Sequence, residues 1–134
     1  YFEGLEGIKK VQKEFLSAKN KQLFSISFRD DLYAVIPNQK EYVNERVKRK
    51  IHSKFIYSSE KGPIPKTSDQ ALLVESRFIP PEQFPKGADI TIFDNKVAIA
   101  SLKGNVTCTV IEHKDIAKSF RGIFDFLWTY AEKN

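Results

Sequence analysis

The sequence predicts an α/β (α+β) domain: a mixed β-sheet flanked by helices, with an antiparallel meander near its end and one long final helix. Three observations carry this reading. Apolar residues recur at helical spacing at the start, the middle and the end of the chain. Between these segments, short runs alternate apolar with polar residues, as strands do. Residues 88–112 hold three such runs, joined by Asp94-Asn95 and Lys103-Gly104, the short turn chemistry of hairpins.

In residues 4–18, Leu5, Ile8, Val11, Phe15 and Leu16 fall on one helical face. Phe24, Ile26 and Phe28 then alternate with serines, predicting a strand with one oily face. From Gln39 to Ile51, the residues Tyr42, Val43, Val47 and Ile51 mark a second helix with a very basic outer side, and His52 to Ser58 form another strand. Residues 59–69, with Gly62, Pro63 and Pro65, read as a long irregular loop. A strand over 73–79 is closed by Pro80-Pro81, and the meander comprises 88–93, 96–102 and 105–112. The final helix, about 115–132, carries Ile116, Phe120, Ile123, Leu127, Trp128 and Ala131 as its core stripe.

At 134 residues the chain fits one domain, 1–134, with a single sizeable core. Apolar residues at 41% and charged residues at 29% suit a soluble globular protein, and eleven Phe with five Tyr exclude a disordered one. No apolar run reaches the roughly 18 residues of a membrane span, and no signal-peptide pattern opens the chain. Cys108, the one cysteine, has no partner for an internal disulfide, which favours a cytoplasmic address. The chain opens on Tyr1 and contains no Met, so it is expected to be a fragment with more protein upstream. A net charge of +5 is compatible with a nucleic-acid partner nearby without requiring contact.

Catalytic chemistry finds few carriers. His52 and His113 stand far apart, and no His or Cys pair has zinc spacing, so neither a metal nor a cofactor is expected. Cys108, inside a strand, reads as a small core residue. His52-Ser53-Lys54 is an H-x-K tripeptide of the kind that transfers phosphoryl groups, but the position that would complete it with an aspartate is Ser59.

Several segments together resemble the TrmB family of transcriptional regulators. These are Glu75-Ser76-Arg77-Phe78-Ile79-Pro80, the run from Ala88 to Ile99, the strand ending Val110-Ile111-Glu112, and Ile116-Ala117 with Arg121 to Trp128. The opening Tyr1 to Ile8 is similar to the start of the same module. The resemblance implies a phospholipase D-like half-domain that does not catalyse, assembly as a homodimer, and DNA binding through an upstream winged helix-turn-helix absent from this chain. It also implies where the phospholipase motif would lie: its lysine falls at Asp89 and its histidine at Gly87. A glycine cannot attack phosphorus and a carboxylate repels phosphate. The additional sugar-binding portion of longer TrmB regulators has no counterpart before Asn134, so sugar binding does not carry over.

Four charged residues are the candidate contacts of a small-molecule effector: Arg77 within a strand, Arg121 at the border of the final helix's stripe, Asp89 at the start of the meander, and Arg29 after the first strand. The competing reading is an internal ion pair, Arg77 or Arg121 with Glu75 or Asp89. The final helix also bears a second strip, Ser119, Gly122, Phe126 and Tyr130. Either a loop or the first helix covers it, or it meets its own copy across a two-fold axis. Lys48-Arg49-Lys50 reads as a solvated helix face. The sequence thus points to a regulatory, ligand-sensing or dimerising domain; the alternatives are a phospholipase D-like phosphodiesterase or nuclease, and a basic nucleic-acid-binding domain.

Overall fold

The computed structural model describes residues 1–84 and 86–133. Among them, one sheet of eight strands runs in the order β1-β7-β6-β5-β2-β3-β4-β8. The strands are β1 (Phe2–Glu3), β2 (Gln22–Phe28), β3 (His52–Ser58), β4 (Val74–Phe78), β5 (Asp89–Phe93), β6 (Lys96–Ser101), β7 (Thr107–Glu112) and β8 (Glu132–Lys133). The helices are α1 (Gly4–Phe15), α2 (Arg29–Val35), α3 (Lys40–Lys48) and α4 (Lys114–Tyr130). β2, β3 and β4 are parallel, and β5, β6 and β7 form the expected meander, joined antiparallel to β2. The mixed α/β architecture is the one the sequence predicts.

Both faces of this sheet are covered, which the sequence reading of β2 missed. Phe24, Ile26 and Phe28 pack with Ile56, Ile92 and Val97 against Phe124 and Ala117 of α4. On the other face Leu23, Phe93, Ala98, Ala100 and Cys108 pack with Ile8 and Val11 of α1. The serines of β2 therefore lie under helices rather than in solvent.

Other elements depart from expectation for identifiable reasons. α2 is seven residues long, too short for its periodicity to show; Asp30 and Asp31 in its first turn favour it by complementing the helix dipole. In α3 the outer basic side is incomplete, because Arg46 is buried, its Nη1 donating to the Ile51 carbonyl at 2.7 Å and its Nη2 to the Leu72 carbonyl at 2.8 Å. Gly7 permits α1 to lie close on β1: a Cβ there would stand 2.8 Å from the Phe2 Cβ. Leu5, expected on the inner face of α1, is exposed.

The stripe of α4 is rotated from the predicted one. Ala117 and Phe124 are buried, with Phe120, Leu127 and Trp128 packed around them. Ile116 and Ile123, expected in the core, turn outward and join the second strip. His113 caps the helix, its Nδ1 accepting from the Asp115 and Ile116 N–H groups. Phe124→Ala should therefore lower stability by about 3–5 kcal/mol and Ile123→Ala by less than about 1 kcal/mol, measured by denaturant unfolding. Equal losses would contradict the rotated stripe.

Candidate functional site

The covered sheet carries a size asymmetry. Toward α4 the central strands present Phe24, Ile26, Phe28, Ile56, Ile90 and Ile92. Toward α1, α2 and α3, where Leu23 and Phe55 are the large side chains, β2, β3, β5 and β6 present mainly Ser25, Ser27, Ser53, Thr91, Ala98 and Ala100. Side chains so short cannot fill the space below the helices, and a cavity of about 480 Å³ remains. That volume lies within the range of small-molecule sites. Its roof is Ile8, Val11, Gln12 and Phe15 of α1, Arg29, Leu32 and Tyr33 of α2, and Tyr42, Val43 and Arg46 of α3.

The long loop after β3 forms a wall with Ile64, Pro65, Thr67, Ser68 and Asp69. It is firmly tied. The Ile64 N–H donates to the Tyr57 hydroxyl at 2.9 Å, Lys66 Nζ to the Ser76 carbonyl at 2.8 Å, and the Ser76 hydroxyl to Asp69 at 2.9 Å. At its start the Ser59 hydroxyl donates to Asp30 at 2.6 Å, and the Glu60 N–H to the same carboxylate at 3.0 Å. Burial opposes the charge of Asp30, but these donors hold its carboxyl below the ordinary range.

Polar groups meet on the cavity floor. The Ser25 and Thr91 hydroxyls share a hydrogen bond of 3.0 Å, and the Ser27 hydroxyl donates to Asp89. Burial pushes the Asp89 carboxyl up to about 6 against the lowering effect of that one donor. Tyr42 is raised above the usual phenol range by burial, and the charge of Asp89 adds to it while Arg46 opposes it. Burial, with Asp89 again adding, pushes the Cys108 thiol up to about 11, so it is no nucleophile at neutral pH.

The four candidate contact residues divide between the two sheet faces. Asp89 and Arg29 line the cavity, the Arg29 guanidinium lying 4.2 Å from the Tyr33 ring centroid. Arg77, on β4, and Arg121, on α4 itself, belong to the opposite layer instead. Arg77 donates to the Trp128 carbonyl and stacks 4.1 Å from its ring, and Arg121 sits 3.5 Å from the Phe24 ring while pairing with Asp125 at 3.2 Å. Neither pairs with Glu75 or Asp89. The H-x-K residues do not converge on the cavity: His52 is exposed at the start of β3, and Lys54 rests 5.3 Å from the Trp128 ring. Gly87 stands at φ +113°, two positions before Asp89, with open space where a side chain would be. No group of three or more His, Cys, Asp or Glu that could hold a metal ion occurs among the described residues.

Sequence reasoning missed Tyr42, Arg46 and the serine row as cavity groups. The signal was present in the alternation of Phe-Ser-Ile-Ser-Phe. Short hydroxyls on a strand face mean a polar cavity once a helix covers that face, and only tertiary structure says whether one does.

The strip Ser119, Gly122, Phe126 and Tyr130 is uncovered within the chain. Phe126 is 76% exposed, Tyr130 57% and Ile123 54%. Nothing lies within 4 Å of a Cβ placed on Gly122. Among the described residues neither a loop nor α1 covers the strip, and the Tyr130 hydroxyl donates to Gln83 at its end.

No family model and no curated protein sequence matches this chain. Solved structures do. The archaeal chromatin protein TrmBL2, whose structure is described as showing a novel mode of DNA binding, superposes with a TM-score of 0.70 at 17% identity. That match covers 98% of this chain and 52% of TrmBL2, so the chain spans about half the length of that relative. Nuc from Salmonella typhimurium, a phospholipase D family member, matches at a TM-score of 0.63 and 18% identity, over 96% of this chain and 90% of Nuc. NucT from Helicobacter pylori matches at 0.66 and 9% identity, over 95% and 90%. The fold is therefore phospholipase D-like, and the likeness is one of fold.

The raised Asp89 carboxyl has a consequence for stability. In the unfolded chain it titrates near its ordinary value, so above about pH 6 the folded form holds a charge it disfavours. This unfavourable contribution fades as pH falls through about 6 toward the unfolded range. Asp89→Asn should raise stability by about 2 kcal/mol above neutrality, with the gap closing toward about pH 4 in melts across pH. A constant gap would show that the carboxyl is not perturbed by burial.

Proposed function

We propose that this chain is the non-catalytic, ligand-sensing and dimerising domain of a TrmB-like DNA-binding transcriptional regulator, with a winged helix-turn-helix upstream. One observation carries the reading. In a phospholipase D-like fold, the positions that the resemblance assigns to the reacting histidine and lysine hold Gly87 and Asp89, and Asp89 instead faces a cavity sized for a small molecule. Glycine offers no nucleophile, and a carboxylate at that place disfavours a phosphodiester. The match to TrmBL2, an archaeal chromatin protein whose structure is described as showing a novel mode of DNA binding, supports the DNA-binding side of this reading. Nuc and NucT match nearly as much of this chain, so the choice against a nuclease rests on Gly87 and Asp89.

The mechanism is geometric. β1 pairs with β7 so that Phe2 stands opposite Cys108, a floor residue of the cavity, and α1 follows directly from β1. A ligand that shifts the α1 roof would shift the attachment point of an upstream domain. Pairing of two copies through the exposed α4 strip would set the distance between two DNA-reading domains, which must match half-sites about one DNA turn apart.

Light scattering should give a dimer mass for the chain, and Phe126→Asp should reduce it to that of a monomer without changing the far-ultraviolet circular dichroism spectrum. A monomeric parent chain would remove the α4 strip from the proposal. Phosphodiester substrates should not be turned over; a rate abolished by His52→Ala or Asp89→Asn would restore the nuclease reading instead.

A further inference from the structure

We infer that the cavity receives a small organic cation, a protonated amine on an apolar body, with Asp89 as its counter-ion. The inference rests on the sensing reading above and deepens it by naming the ligand class.

The charged groups facing the cavity decide the matter. Arg46 has both terminal nitrogens occupied by the carbonyls of Ile51 and Leu72. Arg29 lies flat over Tyr33, 4.2 Å from its centroid. Asp69 accepts from Ser76 and is held at the loop wall. Asp89 has only the Ser27 hydroxyl as hydrogen-bond partner among the described residues, and no cation within ion-pair distance. A half-buried carboxylate with one neutral donor retains unused acceptor positions and an uncompensated charge facing the cavity. A cation entering the cavity supplies what is missing. An anion would meet the unpaired Asp89 carboxylate, and a neutral hydroxyl compound would gain the hydrogen bond without the charge match.

The rest of the lining fits the body of such a molecule. Ile8, Val11, Leu23 and Phe55 are apolar, and Tyr33 and Tyr42 add aromatic rings to the same lining. Aromatic faces beside an acidic group favour an ammonium over its neutral form.

Three probes of similar size make the test: benzylamine, benzyl alcohol and benzoate, each titrated calorimetrically into the whole chain at about pH 7.5. Benzylamine should bind at least about tenfold more tightly than benzyl alcohol, and benzoate should not bind. Asp89→Asn, expected to fold with added stability, should weaken benzylamine by about tenfold or more. Lowering the pH to about 5 should weaken it similarly, as the Asp89 carboxyl takes up a proton. Tyr33, Tyr42, Cys108, Asp69, Arg29 and Arg46 also face the cavity; burial raises Tyr42 and Cys108 further away from that interval, whereas it brings Asp89 into it. Benzyl alcohol or benzoate binding as tightly as benzylamine, or benzylamine binding that survives Asp89→Asn, overturns the amine assignment while leaving a ligand-sensing cavity. Failure of all three probes to bind overturns the assignment and counts against the sensing reading as well.

Discussion

The structure depends on one constraint: a sheet covered on both faces puts the residues of its central strands under a helix on either side, whatever their polarity. β2 meets this by dividing its residues by size. Phe24, Ile26 and Phe28 fill the interface with α4, where Phe24 meets the Phe124 ring edge-on at 5.3 Å. Leu23, Ser25 and Ser27 face the opposite layer, where two of the three are too short to reach the helices. Tight packing on one side thus holds the sheet rigid while the other side stays open. A cavity in a folded domain is destabilising unless the remaining packing offsets it, and the α4 layer is placed to do so.

Polar satisfaction follows the same division. On the α4 side, the charges that reach the interface are laid on aromatic rings: Arg77 and Lys54 on Trp128, Arg121 on Phe24. Such stacking shields a guanidinium while leaving it hydrogen-bonding positions. On the cavity side Arg46 is held by backbone carbonyls, Asp69 accepts from a hydroxyl and Arg29 lies over the Tyr33 ring, while Asp89 has a single hydroxyl donor. A phospholipase D-like scaffold with a reacting lysine at that place would hold a cation there. With a carboxylate there the sign of the position is reversed while the strands that build it are kept, and this reversal is the ground of the amine assignment.

Much of the fold was legible because periodicity survives in long elements. The meander, the parallel strands and the helices α1, α3 and α4 all stand where alternation or helical spacing put them. α2 was not legible, being two turns long, nor were β1 and β8, each of two residues and defined only by their neighbours in the sheet. The site was legible by residue rather than by place. Asp89 and Arg29 were singled out as charges needing a reason, and both line the cavity; Arg77 and Arg121 were singled out on the same ground and lie on the other face. A charge in an apolar segment announces that it is held by something, but pattern alone does not say which layer holds it. The stripe of α4 shows the same limit. Two apolar strips side by side span most of the helix, so a rotation of one position exchanged Ile116 and Ile123 with Phe124.

That rotation bears on how a signal could pass through the molecule. The cavity and the exposed strip of α4 lie on opposite faces of one sheet, so a ligand and a partner bound to them would not compete for space. Communication between them would have to cross the sheet or run around an edge. Crossing is mechanically poor, since the α4 layer is filled by large interlocking side chains that resist displacement. The edge offers an easier path. α1 roofs the cavity, touches β1 through Gly7 and Phe2, and β1 is bound to the sheet by only two residue pairs. An element so lightly attached responds to a small push, and it is the element from which any upstream domain would be hung. The face toward α4 would then fix the spacing of two copies, and the α1 edge would set how each copy presents what precedes it.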